Sequence, residues 1–271
     1  MAWGFARFNV LHFVFMSLSP APSDRIVVWF SCGAASAVAA KLTLLKYKDH
    51  DIRVVNNPVL EEDTDNRRFL ADVEAWLDHP IEIATNPKYS DASADTVWRR
   101  TRFMSSPYGA PCTRELKKKV RELWETAHKP NWHVLGFTAD EQQRYARFTT
   151  FERPNVLPIL IDASFTKDKC AQYLLAEGLR LPRIYDLGYP NANCIGCVKA
   201  TSATYWNLVR QQHPDVFAAR ASLSRELGVR LVRHKGKRIF LDELPVDARG
   251  RSLKTLNIEC GIFCEETDAV E

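Results

Sequence analysis

The 271-residue chain lacks a long apolar run, a large excess of charge of one sign and a regular cysteine pattern. Near its start, an apolar run of about nine residues follows Arg7, which is the outline of a weak secretory signal but is too short to span a bilayer. No clean small-residue cleavage pattern follows this run. We therefore expect residues 1–22 to form a flexible tail, and we expect no membrane partner.

The net charge decides nothing by itself, whereas the cysteines do not indicate a secreted protein. A net charge of +4 is compatible with an anionic ligand but is too small to indicate nucleic acid by itself. Seven cysteines, an odd number spread unevenly, are not typical of a secreted disulfide framework, so we expect a cytoplasmic protein. Internal repeats and low-complexity tracts are also absent, and 46% hydrophobic residues are ordinary for a globular chain.

Short apolar runs alternate with longer amphipathic segments over the first half of the chain. Strands separated by helices need crossover connections, which favours a mostly parallel sheet covered on both faces. The pattern therefore predicts a doubly wound α/β fold. Predicted strands cover residues 25–30, 51–56, 80–85 and 132–137, and predicted helices cover residues 34–48, 66–77 and 113–127.

The pattern changes after about residue 185, where turn residues become frequent. Residues 201–227 have helical character, and the segment after them resembles a hairpin that turns at Lys235 and Gly236. We predict an α/β domain over residues 23–185 and a cysteine-bearing extension over residues 186–271.

The predicted helices of the extension combine aromatic residues with arginines. One interpretation is a nucleic-acid partner that is bound through phosphate charge and base stacking. The other is an amphipathic helical pair that packs Trp206 and Phe217 on the core. The arginines concerned are Arg210, Arg220 and Arg225.

A short turn of small residues, Ser-Cys-Gly-Ala-Ala-Ser, joins the first predicted strand to the first predicted helix. In an open α/β sheet, ligands bind beyond the carboxyl ends of the strands, where amides at a helix N-terminus face an anion. Glycine permits close approach or an unusual backbone dihedral, and serine hydroxyls can donate to phosphate oxygens. Alternatively, the small residues only let the helix pack tightly on the sheet. The candidate phosphate-binding residues are Ser31, Gly33, Ala34 and Ser36.

This turn lacks the Walker spacing and resembles the PP-loop of the adenine nucleotide α-hydrolase superfamily. The missing lysine is similar to the phosphoadenylyl sulfate (PAPS) and adenylyl sulfate (APS) reductases. Residues 111–120, 133–148 and 156–197 resemble further segments of that family in the same order. The resemblance implies a Rossmann-like nucleotide-binding domain and an adenine nucleotide ligand, namely ATP, APS or PAPS.

The resemblance also implies basic residues that hold phosphates. One charged helix contains a basic run, which is more often a solvated face than a site: Lys117, Lys118, Lys119 and Arg121. Lys117 and Lys118 are the better candidates because of their position after Cys112. Arg144 follows the fourth strand, and either points at a phosphate or pairs with Glu141 or Asp140. Gly136 belongs to the same family-like segment.

Cys194 and Cys197 form a chelating pair in a glycine-containing turn, and Cys112 is positioned to approach them from a helix start. The resemblance implies a 4Fe-4S cluster, with a structural zinc site as the alternative. In one arrangement the tail supplies the fourth ligand, which is Cys260 or Cys264. In a second arrangement three cysteines hold the cluster and one iron stays open, which resembles PP-loop enzymes that transfer sulfur to transfer RNA. Core positions explain the remaining two, Cys32 and Cys170.

The tail contains Glu259-Cys260-Gly261, which resembles the C-terminal motif of the sulfonucleotide reductases. In that family the motif cysteine attacks the sulfur of the substrate. The resemblance makes Cys260 the nucleophile and leaves Cys264 to resolve the intermediate as a disulfide. It also implies that a thiol reductant such as thioredoxin is a partner. Separately, we expect the protein to form a homo-oligomer.

Three functions remain open from the sequence. The first is thiol-dependent reduction of a sulfonucleotide by an iron-sulfur, adenine-nucleotide-binding enzyme. The second is thiolation of a nucleic-acid base by a PP-loop sulfurtransferase. The third is non-catalytic binding that depends on a nucleotide or a metal.

Overall fold

The computed structural model describes residues 19–106 and 109–253. Cys260 and Cys264, and most of the predicted tail over residues 1–22, lie outside the described residues. None of the helices in the described ranges has the length and apolar character needed to cross a membrane.

Five parallel strands form the central sheet in the order β3-β2-β1-β4-β5. This confirms the predicted doubly wound, mostly parallel α/β fold. The order reverses direction between β1 and β4, which is where open α/β sheets bind their ligands. The strands are β1 Arg25–Phe30, β2 Asp51–Asn56, β3 Ile81–Ile83, β4 Trp132–Val134 and β5 Val156–Leu157.

Both faces of β1 are buried, which explains its continuous apolar sequence. Ile26, Val28 and Phe30 lie in the core that α1, α2 and α8 cover. Val27 and Trp29 point to the opposite face, where Trp124 of α5 packs. The helices that flank the sheet are α1 Ala34–Lys46, α2 Asn66–Leu77, α5 Lys119–His128, α6 Gln142–Phe151, α7 Ile159–Asp162 and α8 Lys167–Ala176.

Three details of the predicted elements differ from the structure. The charged helix predicted from residue 113 begins earlier, at α4 Pro111–Thr113, and passes through one π-helical turn, Arg114–Lys118, before α5. The third and fourth strands are shorter than predicted. A further short helix, α3 Ala94–Thr101, was missed; the side chain of Ser93 caps it by accepting from the amide of Thr96.

The C-terminal half contains α9 Arg183–Asp186, α10 Ala203–Gln212, α11 Pro214–Glu226 and a hairpin of β6 Val232–His234 and β7 Lys237–Ile239. The hairpin turns at Lys235 and Gly236 as predicted, and both have positive φ, which suits a two-residue turn. These elements share one hydrophobic core with α3 and α4. The domain boundary at residue 186 stays a prediction.

The arginines of α10 and α11 hold this half of the protein together. Arg210 donates to the carbonyls of Leu241 and Leu244, and Arg225 pairs with Asp242 and Glu243. Arg220 is buried with its guanidinium over the ring of Trp98. Trp206 and Phe217 are buried in the same core. The contacts therefore favour the amphipathic-pair interpretation of this segment.

His133 of β4 carries a prediction for pH dependence. It is buried, accepts from the indole of Trp29 at 3.2 Å, and lies beside Arg153. Burial, and then the charges of Arg153 and Arg121, lower the pKa of His133 from 6.5 to about 3. The unfolded chain therefore binds this proton at a higher pH than the folded chain does. The stability that a neutral His133 contributes is fully present above pH 6.5 and is lost as the pH falls towards 3.

We expect urea unfolding of the wild-type protein to show a clear loss of stability between pH 7 and pH 4.5. His133→Gln removes the titrating group, so its loss over the same interval should be smaller. Equal losses in the two proteins would show that another group controls the acid sensitivity.

Candidate functional site

A cavity of about 360 Å³ opens at the carboxyl ends of β1 and β4. It lies at the reversal point of the strand order, and its size is in the range of small-molecule sites. The walls come from the β1–α1 turn, the segment after β4, the helices α5, α6 and α8, and the loop after α9.

The β1–α1 turn gets its shape from Cys32 and not from Gly33. Cys32 has φ of 55°, whereas Gly33 has an extended backbone with φ of −109°. The unusual dihedral that the sequence suggested for the glycine therefore belongs to the cysteine. Gly33 is not needed for a close approach either, since a Cβ there would make an ordinary van der Waals contact, 3.4 Å from the hydroxyl of Tyr185.

Two serines fix the turn at the N-terminus of α1. The Ser36 hydroxyl accepts from the amide of Ser31 at 3.1 Å and donates to the carbonyl of Gly33 at 2.9 Å. The amide of Ala34 donates to the hydroxyl of Tyr185 at 3.2 Å. The first amides of a helix have no intrahelical acceptor, and the first turn of α1 contains no acidic side chain. This end of the cavity is therefore suited to an anion.

Gly136 brings the segment after β4 against this helix end. A Cβ at Gly136 would lie 3.0 Å from the amide nitrogen of Ser36 and 3.2 Å from the carbonyl carbon of Ala35. Both atoms belong to the backbone of α1 and cannot turn aside as a side chain does. A side chain at this position would therefore force the helix end or the segment after β4 to move by a few tenths of an ångström.

Four cationic and two acidic side chains of the described residues line the cavity. Two of the cations form ion pairs: Lys117 Nζ is 2.8 Å from Glu62 Oε1, and Arg144 Nη1 is 2.6 Å from Glu141 Oε1. The lining therefore has an excess of two positive charges, which favours an anionic ligand. The four cations are Lys117, Arg121, Arg144 and Lys167.

Arg144 satisfies both interpretations from the sequence, whereas Lys117 is not part of a solvated face, because its side chain is only 12% exposed. Arg144 forms the predicted salt bridge with Glu141 and still lines the cavity. Lys117 also donates to the carbonyl of Asn57 at 2.7 Å, just beyond the end of β2. Its position in the π-helical turn brings it to the sheet edge, and such turns are frequent at functional sites.

Most of the predicted phosphate-binding residues meet in this one cavity. Lys118 does not, since its ammonium lies 3.4 Å from Glu152 at a partly exposed position. Sequence reasoning missed Trp29, Tyr185 and Lys167, and it left Arg121 as a member of a basic run. The spacing of four residues from Lys117 to Arg121 was a signal that both share a helix face. The predicted residues that line the cavity are Ser31, Gly33, Ala34, Ser36, Lys117, Gly136 and Arg144.

The turn that contains Cys194 and Cys197 lies next to the cavity, because Asn193 belongs to the cavity wall. The hydroxyl of Tyr205 accepts from the amide of Cys197 at 2.8 Å and donates to the carbonyl of Cys194 at 3.4 Å. Cys112 packs on the same hydrophobic core as this pair. The three predicted ligands therefore belong to one region of the protein.

The described side chains of Cys112, Cys194 and Cys197 are not arranged to hold a metal ion. Within residues 19–106 and 109–253, no three side chains of His, Cys, Asp or Glu are arranged to hold a metal ion. Cys260 and Cys264, the predicted fourth ligands, lie outside the described residues. The part of the chain that the structure describes therefore does not assemble the predicted ligand set.

Cys32 and Cys170 are core residues, as predicted. Both are buried, with relative exposures of 2% and 0%. Burial is the main cause that raises the pKa of each thiol to about 12. Both cysteines therefore stay protonated at neutral pH, which makes them poor metal ligands and poor nucleophiles.

Comparison with known proteins found similarity in structure only. No protein-family model matches the sequence, and no curated protein matches it. A crystal structure of a phosphoadenylyl-sulfate (PAPS) reductase from Candida auris, in complex with phosphate, is similar with a TM-score of 0.45 and 11% identity, over 62% of this chain and 80% of that one. The U34-tRNA thiolase NcsA from Methanococcus maripaludis, with its 4Fe-4S cluster, is similar with a TM-score of 0.47 and 14% identity, over 92% of this chain and 78% of that one.

The chain is thus structurally similar to a PAPS reductase and to a tRNA thiolase at low sequence identity.

Proposed function

We propose that the protein binds an adenine nucleotide in the cavity, with a phosphate on the N-terminus of α1. The observation that carries this proposal is the coincidence of three features at the strand-order reversal: the cavity itself, the helix end shaped by Ser31 and Ser36, and the excess of two positive charges. The tight approach of Gly136 supports it, since the wall is built closely around the helix end.

The proposed reaction is thiol-dependent reduction of a sulfonucleotide, with Cys260 as the nucleophile. The Cys260 thiolate would attack the sulfuryl sulfur, forming an S–S bond, while the S–O bond to the nucleotide phosphate breaks. A second thiolate, from Cys264 or an external dithiol, would then attack the Cys260 sulfur and release sulfite. Both thiols end as a disulfide, so two electrons pass from the thiols to the sulfur. The cavity cations would hold the anionic groups that react and leave.

A cysteine-held metal centre is the second part of the proposal. The cysteine spacing in the sequence supports it, whereas the described side chains do not form a metal site. Cys112, Cys194 and Cys197 would supply three ligands of a 4Fe-4S cluster, and a tail cysteine would complete it. If Cys260 is that ligand, it is not the nucleophile, and thiolation of a nucleic-acid base becomes the better candidate function.

Calorimetric titration tests the binding proposal with AMP, ATP, APS and PAPS, and with GMP as the matched purine control. We expect at least one adenine nucleotide to bind at least about tenfold more tightly than GMP, a difference of about 1.4 kcal/mol. An absence of adenine-nucleotide binding would contradict the proposal.

The reaction is tested with the bound nucleotides and an excess of dithiol. We expect the wild-type protein to release sulfite from APS or PAPS, and Cys260→Ser to release none while it keeps its metal. Loss of iron together with sulfite release in Cys260→Ser would assign that cysteine as a ligand and would contradict the reductase mechanism.

Replacing a turn cysteine tests the metal centre. Protein purified without oxygen should contain about four iron atoms per chain, and Cys194→Ser should lose most of them. Cys170→Ser is the matched control, since Cys170 is buried in the core and should leave the iron content unchanged. Zinc in place of iron, or equal iron in both variants, would contradict the proposed cluster.

A further inference from the structure

Arg121 of α5 differs from the other cations in the cavity wall. Its Nε is buried and has no hydrogen-bond partner, and no described carboxylate lies within ion-pair distance of its guanidinium. Its guanidinium instead lies over the ring of Trp29, and the guanidinium carbon is 5.3 Å from the ring centre. A buried charge in such a setting is costly unless a partner compensates it.

The nearest acidic side chains are already engaged. Glu125 Oε1 lies 2.7 Å from Arg153, and Glu152 lies 3.4 Å from Lys118. Burial, followed by the charge of Arg153, lowers the pKa of Arg121 to about 10. Glu125 and Glu152 act on Arg121 at longer range and raise its pKa, but neither is within ion-pair distance of it among the described residues. The Arg121 side chain stays charged at neutral pH and has no directly paired anion among the described residues.

Arg121 also approaches the cavity from the opposite side to the proposed phosphate site. It packs on Trp29, which belongs to the sheet face that α5 covers, whereas α1 covers the other face. The cavity runs around the end of β1 and touches both. An anion at the N-terminus of α1 and an anion at Arg121 would thus lie on different sides of that strand end.

We propose that Arg121 binds a second anionic group of the ligand, a tetrahedral phosphate or sulfate, separate from the phosphate at the N-terminus of α1. A guanidinium donates through parallel N–H groups and suits such an oxyanion. The ring of Trp29 holds the guanidinium plane from one side and leaves its edge for the ligand. This inference rests on the proposed function and deepens it, because it makes the preferred ligand a nucleotide with two separated anionic groups.

The test compares ligands that differ by one anionic group. AMP is the reference, and ADP, adenosine 3′,5′-bisphosphate and APS each add one phosphate or sulfate. We expect the wild-type protein to bind at least one of the three about 10 to 100 times more tightly than AMP. In Arg121→Gln this gain should fall to less than about threefold, because AMP, whose phosphate is proposed to lie at the N-terminus of α1, loses less affinity than the doubly anionic ligands. A gain for APS alone identifies the second group as a sulfate, and a gain for ADP or adenosine 3′,5′-bisphosphate identifies it as a phosphate.

Lys119→Gln is the matched control, since it removes one positive charge from the same helix at an exposed position paired with Glu122. It should keep the full gain. The ratio of two affinities within one variant does not depend on the fraction of folded protein, so partial misfolding of Arg121→Gln leaves the test valid. Arg121→Leu provides a second variant with the same expected loss.

Three outcomes would overturn the inference while nucleotide binding stands. These are no gain over AMP in the wild type, a gain that survives in Arg121→Gln, and an equal loss for AMP and the doubly anionic ligands. If the wild-type protein binds none of the four ligands, the proposed function and this inference fall together.

Discussion

Replacing Lys117 by methionine should lower the free energy of unfolding by about 3–5 kcal/mol, the range observed when one partner of a buried ion pair is removed. The Lys117 and Glu62 side chains are only 12% and 10% exposed, and their charged atoms are 2.8 Å apart. The variant keeps the Glu62 carboxylate in this buried position and takes away the cation that faces it. It also removes the donor to the carbonyl of Asn57. Urea unfolding at pH 7 measures the loss.

The double variant Glu62→Gln/Lys117→Met separates stability from binding. Because it contains no uncompensated carboxylate, it should recover more than half of the lost stability. Its affinity for the nucleotide should stay at least about tenfold below that of the wild type, since the cavity has lost an ammonium group that can donate to the ligand, although the net charge of the lining is unchanged. If Lys117→Met lowers the free energy of unfolding by less than about 1 kcal/mol, the ion pair is not the buried pair described here. If the double variant binds the nucleotide as tightly as the wild type, Lys117 does not belong to the binding site.

Gly136→Ala should have the second largest effect, and mainly on binding. The added Cβ would lie 3.0 Å from the amide nitrogen of Ser36, so either that amide or the segment after β4 has to move. Overpacking of this kind costs about 1–3 kcal/mol of stability. Because the Ser36 amide belongs to the helix end proposed to face the phosphate, nucleotide affinity should fall at least about tenfold. Calorimetric titration and thermal unfolding measure the two effects.

Gly228→Ala is the control for this prediction. Gly228 has φ of 71° and no atom within 4 Å of an added Cβ, so the substitution introduces backbone strain of about 1–2 kcal/mol without a clash. It should lower stability by a similar amount and leave nucleotide affinity unchanged. Equal loss of affinity in both variants would show that reduced stability, and not the helix end, weakens binding.

The sequence predicted the fold where a local pattern was strong. The apolar run of β1, the periodicity of α2 and the turn at Lys235 and Gly236 each depend on neighbouring residues, and the structure confirms them. The helix α3 was missed because it is eight residues long and only Ala94, Val97 and Trp98 are buried, too few for a helical period to stand out. The helix containing Lys117 was predicted, but its π-helical turn has no sequence signal.

The candidate site was also predictable only where it depends on neighbouring residues. The turn from Ser31 to Ser36 is local, so its composition was enough to suggest an anion site. Tyr185 approaches that turn from 151 residues away, and no pattern near either segment indicates the contact. Arg121 was visible only as one basic residue in a run. Its separation from carboxylates follows from how Arg153 and Lys118 engage the nearby acids, which is a property of the folded chain.

The most direct measurement is a crystal structure of the protein with the adenine nucleotide that binds most tightly. The account predicts the nucleotide in the cavity at the ends of β1 and β4, with one phosphate within hydrogen-bond distance of the Ser36 amide. A nucleotide that binds elsewhere, or that lies in the cavity with no anionic group near the N-terminus of α1, would contradict it.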